Sequence, residues 1–420
     1  MSQRTIAELQ YRQSLPLSMK VAFTKTRIRE WITRFGFDGV YISYSGGKDS
    51  TVLSHIVDDM YPGNDIPRVF FDTGLEFPEL RDFVKREPRA VWIKPEYTFK
   101  EVIEKYGYPF FAKETSEVCY QAKNWLRKEA KKLNKPDADL IELAKSKDKW
   151  TMPYRVSIML GTFESYWSKK KTGLMPKDGK ESGAKRQQDR YQFMLNAPFD
   201  ISHMCCEIMK KNPAHKYVAE TGRYPMTGEQ ASESKLRTNA WLKHGCNGFD
   251  LAEPKSTPMA TWTEQDVLLY IKMYIEPPLK EAWANIYNPN RKKRKFARKA
   301  LKRFNYRKTA ICSVYGDIVT DYEKDGQLEG QVSLTDLSDE YGLFDLGNPP
   351  LKTTGCRRTG CMFCGYGCQL EKEGEGRFEM MKETHPKIYD YIMRPKDKGG
   401  LNYKEVIDWI NENGNMNIKY

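Results

Sequence analysis

Ile28, Trp31, Ile32 and Phe35 recur at i, i+3, i+4 and i+7, a spacing that predicts an amphipathic helix with Ser18 as its cap and Gly36 as its stop. The pattern then changes period. GVYISY (39–44) is a short β-rich run that ends in SGGKDS, and residues 51–60 return to helical character. RVFF (68–71) predicts a second strand ending in DTG, and AVWI (90–93) a third ending at Lys94-Pro95. Thr98 and Glu101 frame a capping box for a helix through Tyr106. Strands separated by helical segments imply crossover connections, so the pattern predicts an α/β, doubly wound, mainly parallel sheet.

Residues 117–195 interrupt this rhythm with lysine-rich helical segments and a Gly/Lys/Ser-rich loop at 169–190, read here as a helical insertion. The α/β pattern resumes near Lys216. RYPMTGE is strand into loop, and a helix follows to Lys243 and stops at Gly245. Trp262 and Val267 form a hydrophobic staple around an N-cap at Thr263. After Pro277-Pro278 come a basic segment and a cysteine-rich C-terminal module, and no internal repeat is present. The expected organisation is an N-terminal helical segment (1–36), the α/β domain in two parts (37–116 and 201–280) around the insertion (117–200), a basic linker (281–345) and the cysteine module (346–420).

Composition narrows the class. With 420 residues, 40% hydrophobic and 13% aromatic, the chain is neither disordered nor low in complexity. No apolar run approaches the roughly 18 residues of a membrane span, and MSQRTIAELQYRQ has no apolar core for a secretory signal. These features predict a cytoplasmic protein with no membrane partner. Nine cysteines are too sparse for a disulfide scaffold, yet four fall between 356 and 368 and two are adjacent, which in a reducing compartment points to metal or redox chemistry. The net charge is +13, and residues 291–308 hold eleven basic and no acidic residues, so the excess is local.

In Ser45-Gly46-Gly47-Lys48-Asp49-Ser50 two glycines let the backbone approach an anion, while Ser45, Lys48 and Ser50 offer hydroxyl and ammonium donors at a helix N-terminus. That is a phosphate cradle, distinct from the Walker pattern. The plainer alternative is a tight strand-to-helix turn with polar surface residues.

SGGKDS is the signature of the PP-loop ATP pyrophosphatases, and the chain resembles the phosphoadenosine phosphosulfate (PAPS) reductase branch of that superfamily, in a form found in gut bacteria and their phages. The resemblance extends to FFDTGLEFPEL (70–80), MTGEQASESKLR (226–237), PMATWTEQDVLLYI (258–271) and paired cysteines followed by a later CxxC. It implies an adenine nucleotide alpha hydrolase-like fold. It puts the phosphates of ATP or PAPS on Ser45, Gly46, Gly47, Lys48, Asp49 and Ser50, with Asp72, Thr73 and Gly74 ending the second strand beside the switch point. Lys48, Asp49 and Asp72 become the catalytic candidates, and Asp72 or Asp49 would hold Mg²⁺ if the ligand is ATP. Gly228, Glu233, Ser234 and Arg237 match the G-x(4)-ES-x-x-R stretch near the nucleotide. A cap is the plainer role for Asp72, and a surface i,i+4 ion pair is the plainer role for Glu233 with Arg237.

By the same resemblance, Cys205-Cys206 and the distant Cys361-x-x-Cys364 hold a [4Fe–4S] cluster, with Cys368 as the substitute for Cys205. A structural zinc site built from Cys356, Cys361, Cys364 and Cys368 is the alternative, and ordinary buried or free thiols a third reading. Cys119, Cys246 and Cys312 are isolated and expected as small core residues. Sulfonucleotide reductases carry a nucleophilic cysteine in a Glu-Cys-Gly motif near the C-terminus. Here INENGNMNIKY ends the sequence with no cysteine after Cys368, so reduction of PAPS or its unphosphorylated relative APS is not expected unless Cys356 or Cys368 takes that role. In this respect the chain resembles the ATP-pyrophosphatase subunit of DNA phosphorothioation systems and the cluster-containing tRNA thiolases, which adenylylate an acceptor oxygen, release pyrophosphate and let sulfur displace AMP. That likeness implies a transferase that works with a sulfur donor protein.

Residues 291–308 interleave their charge with Phe296, Ala300, Leu301 and Phe304, a helical spacing that would rest an apolar stripe on the body and show a cationic face. Such a face attracts the phosphate backbone of DNA or tRNA. A solvated helix, or a clamp on the nucleotide's own phosphates, are the competing roles. Three functions stay open: ATP-dependent activation for sulfur insertion, a reductase or sulfotransferase-like activity on PAPS, and a nucleotide-sensing nucleic-acid-binding regulator.

Overall fold

Val40–Ser43 (β1), Arg68–Phe71 (β2) and Ala90–Ile93 (β3) form at the three β-rich runs, and Tyr224–Met226 (β4), Asn247–Gly248 (β5) and Lys255–Ser256 (β6) complete a six-stranded sheet in the order β3-β2-β1-β4-β6-β5. All neighbours are parallel except β5 with β6. The apolar runs are nearly continuous because both faces of the sheet are covered. Val40, Ile42 and Phe70 enter one core with Trp31, Ile56, Trp262 and Ile271, while Tyr41 and Val69 turn to the other face and meet Tyr217. The expected α/β sheet, mainly parallel, is the architecture observed.

The computed structural model describes residues 4–147, 152–162, 188–321, 350–372, 374 and 376–420. Most of the loop expected at 169–190, and the linker from 322 onward, lie outside these residues. The chain divides into two compact units. The first comprises Met1–Asp72, Glu76–Lys94 and Pro213–Gly360, and holds the sheet. The second comprises Thr73–Leu75, Pro95–Asn212 and Cys361–Tyr420, and is mainly helical, with the short parallel strands Phe110–Phe111 and Gly365–Tyr366. Its core gathers Tyr108, Phe110, Phe378 and Tyr403, and the capping box expected at Thr98 and Glu101 is formed there. No helix among the described residues is long and apolar enough to cross a membrane.

Local expectations differ from the structure in four places. The first long helix is Leu17–Phe35, with Pro16 rather than Ser18 at its N-cap, because the fixed proline φ already sets the entry and Ser18 falls inside the first turn. The helix expected from 51 begins at Lys48, within the cradle itself. The basic helix covers Arg291–Arg303, started by Asn290 accepting from the amides of Lys292 and Lys293, and the chain leaves it through positive φ at Asn305 and Tyr306. Ala297 and Leu301 are its buried residues, and Leu301, with Ala300 and Phe304 half-buried beside it, packs against Leu279 and Ala282 of the helix Glu276–Asn285, whereas Phe296, expected in that stripe, is 71% exposed. Cys119 and Cys312 are buried as expected, but Cys246 is only half-buried, at the rim of a cluster with Trp241.

Arg68 on β2 is fully buried, and its guanidinium donates to Ser54 Oγ at 3.1 Å, Asn64 Oδ1 at 3.0 Å and Asp58 Oδ1 at 2.6 Å. Arg89 holds the same carboxylate at 2.7 Å. Burial pushes the Asp58 carboxyl up, but the hydrogen bond from Arg89 and the charges of Arg68 and Arg89 outweigh it and leave the group below the usual range. Asp58→Asn leaves a buried guanidinium without its counter-charge and is expected to cost about 3–5 kcal/mol in urea unfolding at neutral pH. The depressed pKa makes the Asp58 contribution complete above the ordinary carboxylate range and lost as pH falls through the lowered value. The melting temperature of the variant should therefore fall less steeply than that of the wild type on acidification, and parallel acid limbs would contradict this.

Candidate functional site

β1 ends at Ser43, the chain turns through residues 44–47, and the helix Lys48–Met60 begins with Gly47 at its N-cap. Gly46 has φ +73°, and a Cβ there would stand 2.6 Å from Val84 Cγ2, so the turn is closed to side chains on both counts. Ser45 Oγ accepts from the Gly47 amide at 3.3 Å and lies 3.2 Å from Ser50 Oγ, while Ser50 also donates to the Gly47 carbonyl. Strand order reverses between β1 and β4, and this is where α/β sheets bind ligands. The chain leaving β4 completes the turn: a Cβ on Gly228 would stand 2.8 Å from the Asp49 carbonyl oxygen, and Gln230 Nε2 donates to Asp49 Oδ1 at 2.8 Å.

Lys48 is buried. Its ammonium lies 3.3 Å from Glu264 Oε1 and donates to the Arg357 carbonyl at 3.0 Å. Arg357 in turn holds Glu264 by two bonds of 3.0 and 2.8 Å. The Lys48 amide donates to the Tyr315 hydroxyl at 3.2 Å, and that hydroxyl is 2.6 Å from Thr359 Oγ1. Burial pushes the Asp49 carboxyl up against the pull of Lys48, with Glu233 and Glu264 adding to the rise. Burial also raises Glu264, but Arg357 and Lys48 more than reverse this and hold it below the usual range. Desolvation pushes Tyr315 up to about 12.

Ser45, Gly46, Gly47, Lys48, Asp49, Ser50 and Gly228 are thus brought together. Asp72 ends β2, is buried, and accepts from Arg81 Nη2 at 2.8 Å. Thr73 and Gly74 belong to the second unit, where Thr73 Oγ1 accepts from the Leu75 amide. Glu233 accepts from the Gln230 amide and pairs with Arg237, and Ser234 caps the helix Lys235–His244. Gln230, Glu264, Tyr315, Arg357 and Thr359 were not singled out from sequence. Only Glu264 and Gln230 lie in stretches that carried a signal, the others being polar residues in segments without pattern.

The nine cysteines are all free of disulfides. Cys205 and Cys206 lie on the turn Met204–Cys206, which passes into a π-helical turn at Glu207–Lys211. Cys361 and Cys364 flank a tight turn closed by the Cys364 amide on the Cys361 carbonyl at 3.2 Å, and Arg377 Nη1 donates to the Cys364 carbonyl at 2.6 Å. Burial pushes the Cys205 thiol well up, and charge on Cys361, Cys206 and Cys364 would push it further. Cys364, also raised by burial, to about 11, feels Cys361 and Cys206. The four thiols therefore lie within electrostatic reach of one another. Cys368 couples to Cys364 but faces Arg377 and Glu371, and Cys356 belongs to the first unit, near Glu79. Among the described residues no three His, Cys, Asp or Glu side chains stand in the arrangement that one bound metal ion requires.

A mainly parallel six-stranded sheet with a glycine-rich strand-to-helix turn at its switch point is consistent with an α/β PP-loop fold. Residues 39–141, from β1 past the Asp72-Thr73-Gly74 turn, match the phosphoadenosine phosphosulfate reductase domain, so this part of the chain is similar to PAPS reductases. It is 31% identical over 94 residues to adenosine 5'-phosphosulfate reductase of Burkholderia cepacia, a stretch covering 21% of this chain and 36% of that enzyme. The Gly228 loop and all the clustered cysteines lie beyond residue 141.

Two outcomes test the geometry. Gly228→Ala drives a methyl into the Asp49 backbone and is expected to destabilise the first unit by about 1–3 kcal/mol, measured by urea unfolding. Glu264→Gln removes the carboxylate that competes for Lys48, so affinity for an adenine nucleotide should rise several-fold by titration calorimetry. A fall would mean that Glu264 contacts the ligand favourably.

Proposed function

We propose that this chain binds ATP in the cradle and uses it to adenylylate an acceptor for sulfur transfer. The observation that carries the reading is the cradle at the switch point, with the buried Lys48 ammonium and the first amides of a helix converging on one anion site. Ser45, Ser50 and the amides of Gly46 and Gly47 would hold phosphate oxygens, and Lys48 would exchange Glu264 for them. Asp49 and Asp72 are the carboxylates suited to Mg²⁺, which supports a polyphosphate ligand. An acceptor oxygen then attacks the α-phosphorus, pyrophosphate leaves, and sulfur from a donor protein displaces AMP.

Cys205, Cys206, Cys361 and Cys364 suit a [4Fe–4S] cluster. The support for iron over zinc is the family resemblance and the pairing of adjacent cysteines with a distant CxxC, since among the described residues no three such side chains are arranged to hold a metal ion. When bound, such a cluster supplies an iron–sulfur centre for redox or sulfur chemistry. Reduced cysteines throughout suit a cytoplasmic protein. The acceptor that best suits the unpaired cationic helix Arg291–Arg303 is a nucleic acid.

The second reading, reduction of a sulfonucleotide, is favoured by the similarity to an APS reductase. One experiment separates them on anaerobically purified protein: pyrophosphate release from ATP against thioredoxin-dependent sulfite release from PAPS or APS. The expected result is pyrophosphate release that Lys48→Ala lowers at least a hundredfold, no sulfite, and about four irons per chain, lost in Cys361→Ser or Cys364→Ser. Sulfite without pyrophosphate would replace the first reading with the second, and one zinc without iron would remove the cluster.

A further inference from the structure

One large cavity does not border the cradle. It is an open cleft of about 1370 Å³ in the first unit, between the basic helix Arg291–Arg303 and the far end of the helix Lys48–Met60. Nine of the thirteen residues of the basic helix are Lys or Arg, and none of them forms an ion pair with a described residue. Lys292, Phe296, Lys299, Ala300 and Arg303 follow one another at i, i+4, i+7, i+8 and i+11, so a single stripe of cation, ring, cation, small residue and cation lines the cleft.

The floor is aromatic. Phe304 lies parallel to His55, with ring centroids 5.9 Å apart and planes 10° apart, and Tyr274 is 40% exposed beside them. The acidic residues of the opposite wall are largely spent within the protein: Asp58 on Arg68 and Arg89, and Asp59 on Lys25 at 2.7 Å. Asp65 and Glu281 remain, against five cations of the helix. A single exposed phenylalanine is ordinary on a protein surface, but here it stands inside a cationic stripe that lines an aromatic-floored cleft. A ligand with both negative charge and flat apolar faces explains the combination.

We infer that this cleft binds single-stranded nucleic acid, with phosphates along Lys292, Lys299 and Arg303 and bases stacked on Phe296 and Tyr274. A duplex hides the faces of its bases and would use the cations alone. This deepens the acceptor side of the function proposed above and rests on that reading only for what the strand is for, not for its binding.

The test is fluorescence anisotropy with a labelled oligothymidine and a blunt duplex of the same length. Oligothymidine should bind more tightly than the duplex, with a log–log salt slope that falls by about 0.7 for each of Lys299→Gln and Arg303→Gln. Phe296→Ala, on an exposed side chain, should weaken single-strand binding about tenfold while leaving the duplex unchanged. Tyr274→Ala checks the second ring. Lys48→Ala should lower nucleotide turnover and leave strand affinity intact, whereas wild-type protein that binds the strand but releases no pyrophosphate from ATP would sink only the catalytic reading. Equal affinity for duplex and single strand, no effect of Phe296→Ala, or displacement of the strand by polyglutamate at matched charge would each overturn the inference.

Discussion

The Lys48 ammonium sets the conditions for the rest of the first unit. It is buried at the start of a helix, where the unpaired amides already favour negative charge, so two positive features coincide and an anion is required. Glu264 supplies it, and Glu264 is itself placed by the start of the helix Glu264–Tyr270, where Thr263 and Asp266 form a capping box. Asp266 does double duty, since both its oxygens lie 2.8 Å from the buried Lys20 ammonium. A charge requirement at residue 48 thus propagates through residue 264 to a buried pair between residues 20 and 266. Breaking either pair alone would leave an uncompensated charge in the core.

In the second unit the constraint is the reverse, too many potential negative charges. Burial raises the Cys205 and Cys364 thiols, and charge on the thiols beside them would raise both further. Protonated, they are ordinary small apolar groups. As ligands of iron or zinc they become thiolates, so loading would release protons and its free energy would add to the stability of this unit. The CxxC turn is fixed by the Cys364 amide on the Cys361 carbonyl at 3.2 Å and by the Tyr403 hydroxyl, which donates to the Phe363 carbonyl at 2.6 Å.

What the sequence made legible is what depends on neighbours within a few residues. The capping boxes at Thr98 and Thr263 need only an i,i+3 relation, and the cradle is a contiguous hexapeptide between a strand and a helix. Glu264, Tyr315, Arg357 and Thr359 reach the cradle from more than two hundred residues away, and no local pattern marks a tyrosine whose hydroxyl meets a distant amide. Phe296 was misplaced for a related reason. Ala300, Leu301 and Phe304 pack toward the helix Glu276–Asn285 while the Phe296 ring, at the edge of the same stripe, stands exposed, and only the packed neighbour decides how far round the helix the buried stripe reaches.

The same distant contacts bear on how a nucleotide could enter. A phosphate that takes the Lys48 amide must displace the Tyr315 hydroxyl, and one that takes the ammonium must displace Glu264. Neither exchange is local: Tyr315 is bonded to Thr359, and Glu264 is bonded to Arg357. Phosphate brings more charge than one carboxylate and accepts several hydrogen bonds at once, so the exchange is favourable on electrostatic grounds. It leaves Glu264 with Arg357 alone and Tyr315 with Thr359 alone. An anion bound at residues 45–50 would therefore be coupled, through two defined pairs, to Arg357 and Thr359 of the same unit.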